Sequence, residues 1–212
     1  MKKKSSPEKL LETIENHIRN LQPPVNAFEN SIRTTPFRIL ISVLISSRTK
    51  DGVTLKASKA LFGAADSPEK MLKLGAEKIS RLIYPVGFYR QKAVNILKIC
   101  RAILERGGVP SEFKELVRLP GVGRKTANLV LALAFDRPAV AVDTHVFRIS
   151  RRLGWATGET PEEVEVELRE LFPVNLWNTL NKTLVGFGQT LCKPIKPLCN
   201  QCILNKNCPY FN

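Results

Sequence analysis

The sequence predicts an all-α fold, and three observations carry that prediction. Apolar residues recur at spacings of three and four, helix-start signatures recur ahead of those runs, and strand signals are weak. Leu10, Leu11, Ile14, Ile18 and Leu21 form the first stripe, which Pro23 and Pro24 stop. Ser6-Pro7 and Ser67-Pro68 each pair an N-cap residue with a first-turn proline. An apolar helix follows around Ile96, Leu97 and Ile99, with Cys100 inside it. Leu129, Val130 and Leu133 mark another, as do Val146, Ile149 and Leu153. Thr160-Pro161-Glu162-Glu163 is a capping box opening a helix whose buried face is Val164, Leu168 and Leu171. The β-branched run from Pro138 to Val142 is too short and isolated to build a sheet. About ten helices joined by short loops account for the chain. The composition shifts after Arg137, from compact helices to a tail of clustered cysteines. The first helix must bury its stripe, and packing against the C-terminal helices would make the second lobe discontinuous.

The 212 residues suffice for one large domain or two small ones. An apolar share of 43% and a charged share of 25% exclude a disordered or fibrous chain. The charge balance is less ordinary. Thirty-three Lys and Arg against nineteen Asp and Glu leave +14, which points to a polyanion, nucleic acid first; a generically basic or ribosome-associated protein is the alternative. Residues 159–170 hold −5 and the remainder +19, so one acidic face is expected to turn away from the bound polyanion. No apolar run approaches the roughly 18 residues of a membrane span. The basic opening lacks an apolar core, so it does not read as a signal peptide. A reducing cytosol is expected, and five cysteines are then not a disulfide framework.

Cys192, Cys199, Cys202 and Cys208 follow the pattern C-x6-C-x2-C-x5-C. Thiolates so crowded would repel or oxidise unless they ligate a metal. Zinc usually takes two short C-x2-C pairs, and only one is present. Two ligands reaching in singly suit a four-cornered [4Fe–4S] cluster, with zinc as the open alternative. Cys100 reads as a core residue.

Leu119-Pro120-Gly121-Val122-Gly123-Arg124-Lys125-Thr126-Ala127 lies between a helix end and a second helix. Its glycines permit a tight turn, and the new helix would begin with exposed amides suited to phosphate. A related pattern, Pro85-Val86-Gly87-Phe88-Tyr89-Arg90-Gln91-Lys92-Ala93, suggests a second, degenerate hairpin. Further on, Val142-Asp143-Thr144-His145-Val146-Phe147-Arg148 places a carboxylate at a helix start. Spacing alone favours Asp143 as an N-cap over a catalytic group, and His145 as a structural residue.

Taken together, the hairpin extended to Asn128, the segment 142–148, the cysteine tail and Ser46-Ser47-Arg48-Thr49-Lys50-Asp51 resemble the endonuclease III branch of the helix-hairpin-helix DNA glycosylase superfamily. The similarity runs from about Glu29 to Cys208. It implies two helical lobes with an active-site cleft between them. Residues 29–137 would form a six-helix barrel-like lobe with the hairpin. Residues 1–28 with 138–212 would form a discontinuous lobe, carrying a [4Fe–4S] loop over 188–212. It further implies base flipping and excision from double-stranded DNA, by a monomer in the cytoplasm of a prokaryote. Lys125 occupies the position where the adenine-mismatch branch has serine or tyrosine, so the resemblance implies a bifunctional glycosylase and AP lyase acting on oxidised pyrimidines. An amine attacks only as its free base, about one part in two thousand of a solvated lysine at pH 7. Desolvation and cations such as Arg124 would raise that share. The resemblance promotes Asp143 from cap to catalyst, stabilising the oxocarbenium-like sugar and moving protons.

Gly121, Val122, Gly123 and Arg124 would meet the DNA backbone, as would Lys193 and Lys196 beside the cluster. Arg48 stands where the bacterial pattern usually has glutamine, at the side chain that fills the space of the flipped nucleotide. Phe88 matches an apolar wedge position, with a core aromatic as the alternative. Two other functions compete: a thymine or uracil glycosylase for G·T and G·U mismatches, and a non-catalytic hairpin module with a structural metal.

Overall fold

The computed structural model describes residues 6–32 and 34–211, leaving aside the side chains of Phe28 and Ile32. Among the described residues eleven α-helices and three short 3-10 turns occur, with no strand. The chain divides into two compact units, Phe28–Arg137 and the pair of segments Met1–Ala27 and Pro138–Asn212. None of the described helices is long and apolar enough to cross a membrane.

The helices that precede the second unit's return are α1 (Pro7–Arg19) and α2 (Pro24–Ile32), and the division falls inside α2. The continuous unit then runs through α3 (Pro36–Ser46), α4 (Asp51–Ala64), α5 (Pro68–Ile83), α6 (Tyr89–Arg106), α7 (Phe113–Leu116) and α8 (Arg124–Phe135). Thr35 caps α3 by accepting from Arg38 N, and Ser67 caps α5 from Lys70 N. Helix α3 is apolar on every side, with Ile39, Leu40, Ile41, Val43, Leu44 and Ile45 all buried. A helix of that kind has to lie at the centre of its unit. Each such side chain contributes about 1.5–3 kcal/mol on burial. Ile39 and Val43 pack on Leu129, Leu133 and Ala134 of α8, which fixes the helix that carries Lys125. Cys100 is fully buried in α6, and burial pushes its thiol up to about 12, so it is an inert core residue.

The discontinuous unit contains α1, α9 (Thr144–Arg152), α10 (Pro161–Leu171) and α11 (Trp177–Thr190), followed by 3-10 turns at Cys199–Gln201 and Asn205–Asn207. Leu10, Leu11, Ile14 and Ile18 of α1 share a core with Leu180, Leu184 and Phe187 of α11 and with Val146 and Ile149 of α9. Leu21 lies beyond the helix end at Arg19, next to the left-handed Gln22, and is exposed. The capping box at Thr160 forms in full: Thr160 accepts from Glu163 N, and Glu163 accepts from Thr160 N. One feature of α10 departs from an outward-facing acidic helix. Glu165 is only 4% exposed and lies 3.8 Å from Arg169. Glu167 is also occupied, accepting from Thr157 N and Gly158 N.

Candidate active site and its DNA-facing segments

In the continuous unit the hairpin leads into α8. Gly121 has φ +79, a conformation that favours glycine, and its Cα lies against Asn95. Val122 is buried and its N–H donates to Leu119 O at 3.1 Å. Gly123 is the N-cap residue of α8 and has no side chain to cap with; a Cβ there would meet nothing within 4 Å. The first intrahelical bond comes from Ala127 N to Gly123 O, so the amides of the first turn point out ahead of it. Lys125 stands in that turn, half-buried, and the Arg124 guanidinium lies 4.9 Å from the Phe113 ring. A primary amine beside an open set of amides is equipped to attack carbon while an adjoining phosphate is held.

The same unit contains a second basic constellation. Arg48 and Phe88 are both non-glycine residues in left-handed backbone, with φ of 53 and 57. Such conformations cost of order 1–3 kcal/mol each and persist where neighbours hold them. Both side chains are exposed, Phe88 by 63%, and the Arg48 guanidinium stacks 5.4 Å from the Phe88 ring. Phe88 is therefore a surface aromatic and not a core one. Behind the pair, Lys92 is 6% exposed and donates to the carbonyls of Ile45 (2.8 Å) and Ser47 (2.5 Å).

The discontinuous unit delivers Asp143 from a buried extended segment. Ala139 N donates to Asn178 Oδ1 and Asn181 Nδ2 donates to Ala141 O, each at 2.9 Å. Two asparagines of α11 thus satisfy a strand-like segment that has no sheet to join. Asp143 caps α9, its Oδ1 accepting from His145 N and Val146 N at 2.9 Å each. The cap uses one oxygen of the carboxylate, so capping and chemistry are compatible on the same residue.

Helix α9 then reaches the cysteine loop. Arg148 Nη2 donates to Cys192 O (2.8 Å) and lies 3.2 Å from His145 Nδ1. Arg152 donates to Lys193 O (2.8 Å) and Pro194 O (3.1 Å) and stacks 4.3 Å from the Tyr210 ring. Gly188 of α11 makes room for this layer: a Cβ there would fall 2.4 Å from His145 Nδ1 and 2.7 Å from Arg148 Nη2. Lys193 and Lys196 are exposed on the loop.

A family model for the HhH-GPD superfamily base excision DNA repair protein matches residues 41–174. Endonuclease III of Thermotoga maritima is 49% identical over 184 residues, 86% of this chain and 86% of its own. Endonuclease III of Escherichia coli is 41% identical over 179 residues, 84% of this chain and 85% of its own. The chain belongs to the endonuclease III family. A solved structure of a trapped endonuclease III–DNA covalent intermediate matches with a TM-score of 0.81 at 34% identity, covering 95% of this chain and 96% of that one. A thermostable thymine-DNA glycosylase matches with a TM-score of 0.72 at 26% identity, covering 94% and 97%.

This family implies an iron–sulfur cofactor, and the cysteine loop can be tested for it. Cys192, Cys199, Cys202 and Cys208 are free thiols that line one cavity, with Leu191, Leu198 and Phe187 around them. Burial pushes the Cys202 thiol up, against the hydrogen bond it accepts from Leu204 N, and the neighbouring Cys208, Cys192 and Cys199 add to the upward push. Among the described residues no group of three or more His, Cys, Asp or Glu side chains forms a ligand set for a metal ion. Four thiols lining one cavity are a donor set that fits a soft metal centre.

Several site residues escape a sequence reading. Arg148, Arg152, Asn178 and Asn181 act through contacts about 40 residues away in sequence, which no local pattern reveals. Lys92 left a trace: it falls on the stripe of Ile96, Ile99 and Ile103, where a lysine is out of place unless something receives its charge.

Proposed function

We propose that this member of the endonuclease III family is a bifunctional DNA glycosylase and AP lyase of base excision repair, acting on oxidised pyrimidines in duplex DNA. The observation that carries the reading is Lys125, an amine in the first turn of a helix that no side chain caps, after a glycine hairpin. The Lys125 Nζ, as free amine, attacks C1′ as the glycosidic bond breaks and the base departs. The sugar ring opens to a Schiff base on Nζ. Loss of the C2′ proton then expels the 3′ phosphate, and the strand is nicked 3′ to the abasic site. Asp143 offers negative charge to the oxocarbenium-like sugar and carries protons between steps. Gly121, Val122, Gly123 and Arg124 hold the backbone through amides, a carbonyl and one cation, and Lys193 and Lys196 meet phosphates from the cysteine loop. Arg48 and Phe88 enter the duplex where the flipped nucleotide leaves.

Cys192, Cys199, Cys202 and Cys208 would hold a [4Fe–4S] cluster. When bound it supplies charge compensation and a fixed shape for the loop, while the bond-breaking steps consume no electrons. The protein works on the DNA of a prokaryotic cytoplasm.

Borohydride in the presence of thymine-glycol duplex should leave a covalent enzyme–DNA adduct, and Lys125→Gln should leave none. A second reading, a G·T or G·U mismatch glycosylase, draws support from Arg48 in place of the family's glutamine and from the thymine-DNA glycosylase match. Parallel base-release assays on thymine-glycol and G·T duplexes separate the two. A non-catalytic binding module would give neither adduct nor nick.

A further inference from the structure

Lys92 is a buried charge that the reaction leaves unused. Its ammonium has three N–H groups and meets three acceptors: Ile45 O at 2.8 Å, Ser47 O at 2.5 Å and Thr49 Oγ1 at 3.4 Å. None of these carries a full negative charge. Burying an ammonium without a carboxylate is costly. Here burial, and after it the charge of Lys125, push its pKa down to about 8. A fold that keeps so expensive a group uses what it holds in place.

What it holds is the end of α3. Ile45 and Ser47 lie at that C-terminus, where carbonyls lack helical partners and a cation is favoured. The next residue, Arg48, is forced into the left-handed region. Thr49 Oγ1 also accepts from Gly87 N at 3.2 Å, joining this turn to the one before α6. The approach there is so close that a Cβ on Gly87 would fall 2.6 Å from Arg48 O. Phe88 comes next, again left-handed, and its ring meets the Arg48 guanidinium. One ammonium, one hydroxyl and one glycine therefore fasten two strained turns to each other.

We propose that Lys92 is a positioning residue for duplex opening: its ammonium ties the turn after α3 to the turn before α6, so that Arg48 and Phe88 enter DNA as one pre-assembled wedge. This rests on the proposed function, in which those two side chains take the space of the extruded nucleotide. The ordering of both turns is then completed on folding rather than during base extrusion, which favours a fast opening step.

The test uses the full-length protein and reads two rates: single-turnover base release from paired thymine-glycol duplex, and lyase cleavage of an abasic site in single-stranded DNA, which needs no wedge. Arg48→Ala and Phe88→Ala should each lower the duplex-to-single-strand ratio, and together they should cost about tenfold less than the product of the two. In a Lys92→Met background that coupling should vanish, and the ratio should already be about tenfold down. Thr49→Val removes the link to Gly87 and the longest contact of the ammonium while leaving its bonds to Ile45 O and Ser47 O, and should weaken the coupling even if Lys92→Met does not fold. The proposal is overturned if the Arg48 and Phe88 effects multiply independently in the wild-type protein, or if Lys92→Met and Thr49→Val leave their coupling intact. If neither Arg48→Ala nor Phe88→Ala changes the ratio, the wedge reading itself fails, a result distinct from uncoupled but real effects.

Discussion

Two hairpins of related sequence in one unit give their lysines opposite fates. In the first, Lys92 sits one turn into α6, buried against the carbonyls that end α3. In the second, Lys125 sits in the opening turn of α8, half-buried, behind a glycine that caps nothing. The residue type and the glycine-bearing turn are shared. The place of the lysine relative to its helix start differs, four residues after the N-cap Phe88 in one case and two after the N-cap Gly123 in the other. Two more residues carry the side chain round onto the apolar face, where it becomes a structural cation. Near the start it stays with the open amides, where a substrate can reach it. A basic motif is thus informative only once its distance from the helix start is counted.

Outcomes of five kinds would break or sharpen that contrast. The largest effect belongs to Lys125→Gln, which should lower nicking of an abasic duplex roughly thousandfold or more. Thermal unfolding should barely move, since no acceptor in the core depends on Lys125. Next, Asp143→Asn should slow base release about hundredfold or more while duplex affinity stays within a few fold. Asparagine caps a helix as well as aspartate, so the stability of α9 is retained and the loss reports chemistry. Asp143→Ala should add a loss of about 1 kcal/mol in unfolding free energy from the missing cap.

Lys92 makes a prediction in pH. Its folded pKa of about 8 lies below the ordinary 10.5, so the unfolded chain binds more protons between those values. Its contribution to unfolding free energy should therefore rise with pH across that window, and Lys92→Met should remove the rise from denaturant titrations. Glu163 and Glu167 carry the same sign in a lower pH window: hydrogen bonds from the backbone of Glu159 and Gly158 hold their carboxyls below the usual range. Their stabilisation of the 157–160 turn is present above about pH 4.5 and is lost as the pH falls through the folded values. The smallest effect is electrostatic. Arg124→Ala should reduce the slope of log affinity against log salt by about one, and Lys92→Met should leave that slope unchanged.

The sequence disclosed what local chemistry determines. The caps at Ser6, Ser67 and Thr160 are written within four residues, and each appears where the pattern places it. The all-helical fold and the family follow from stripes and motifs of the same short range. Other features depend on residues far along the chain. The helix α5 is kinked at Gly75, and Glu165 is buried on a face otherwise acidic and exposed. Asp143 reads as a cap from its spacing and is one, yet the segment that delivers it is held by Asn178 and Asn181. Arg148 and Arg152 grip the cysteine loop, a contact that their own short helix does not announce. Phe88 is a surface aromatic in a left-handed turn, which no local spacing discloses.

The central claim is that Lys125, and not the lysine of the other hairpin, forms the covalent bond to DNA. Borohydride reduction of the protein with a thymine-glycol duplex, followed by digestion and mass spectrometry of the cross-linked peptide, tests it directly. The account predicts a reduced sugar adduct on Lys125 Nζ and no trapped product from Lys125→Gln. An adduct mapped to Lys92 or any other residue, or undiminished trapping by Lys125→Gln, would contradict it.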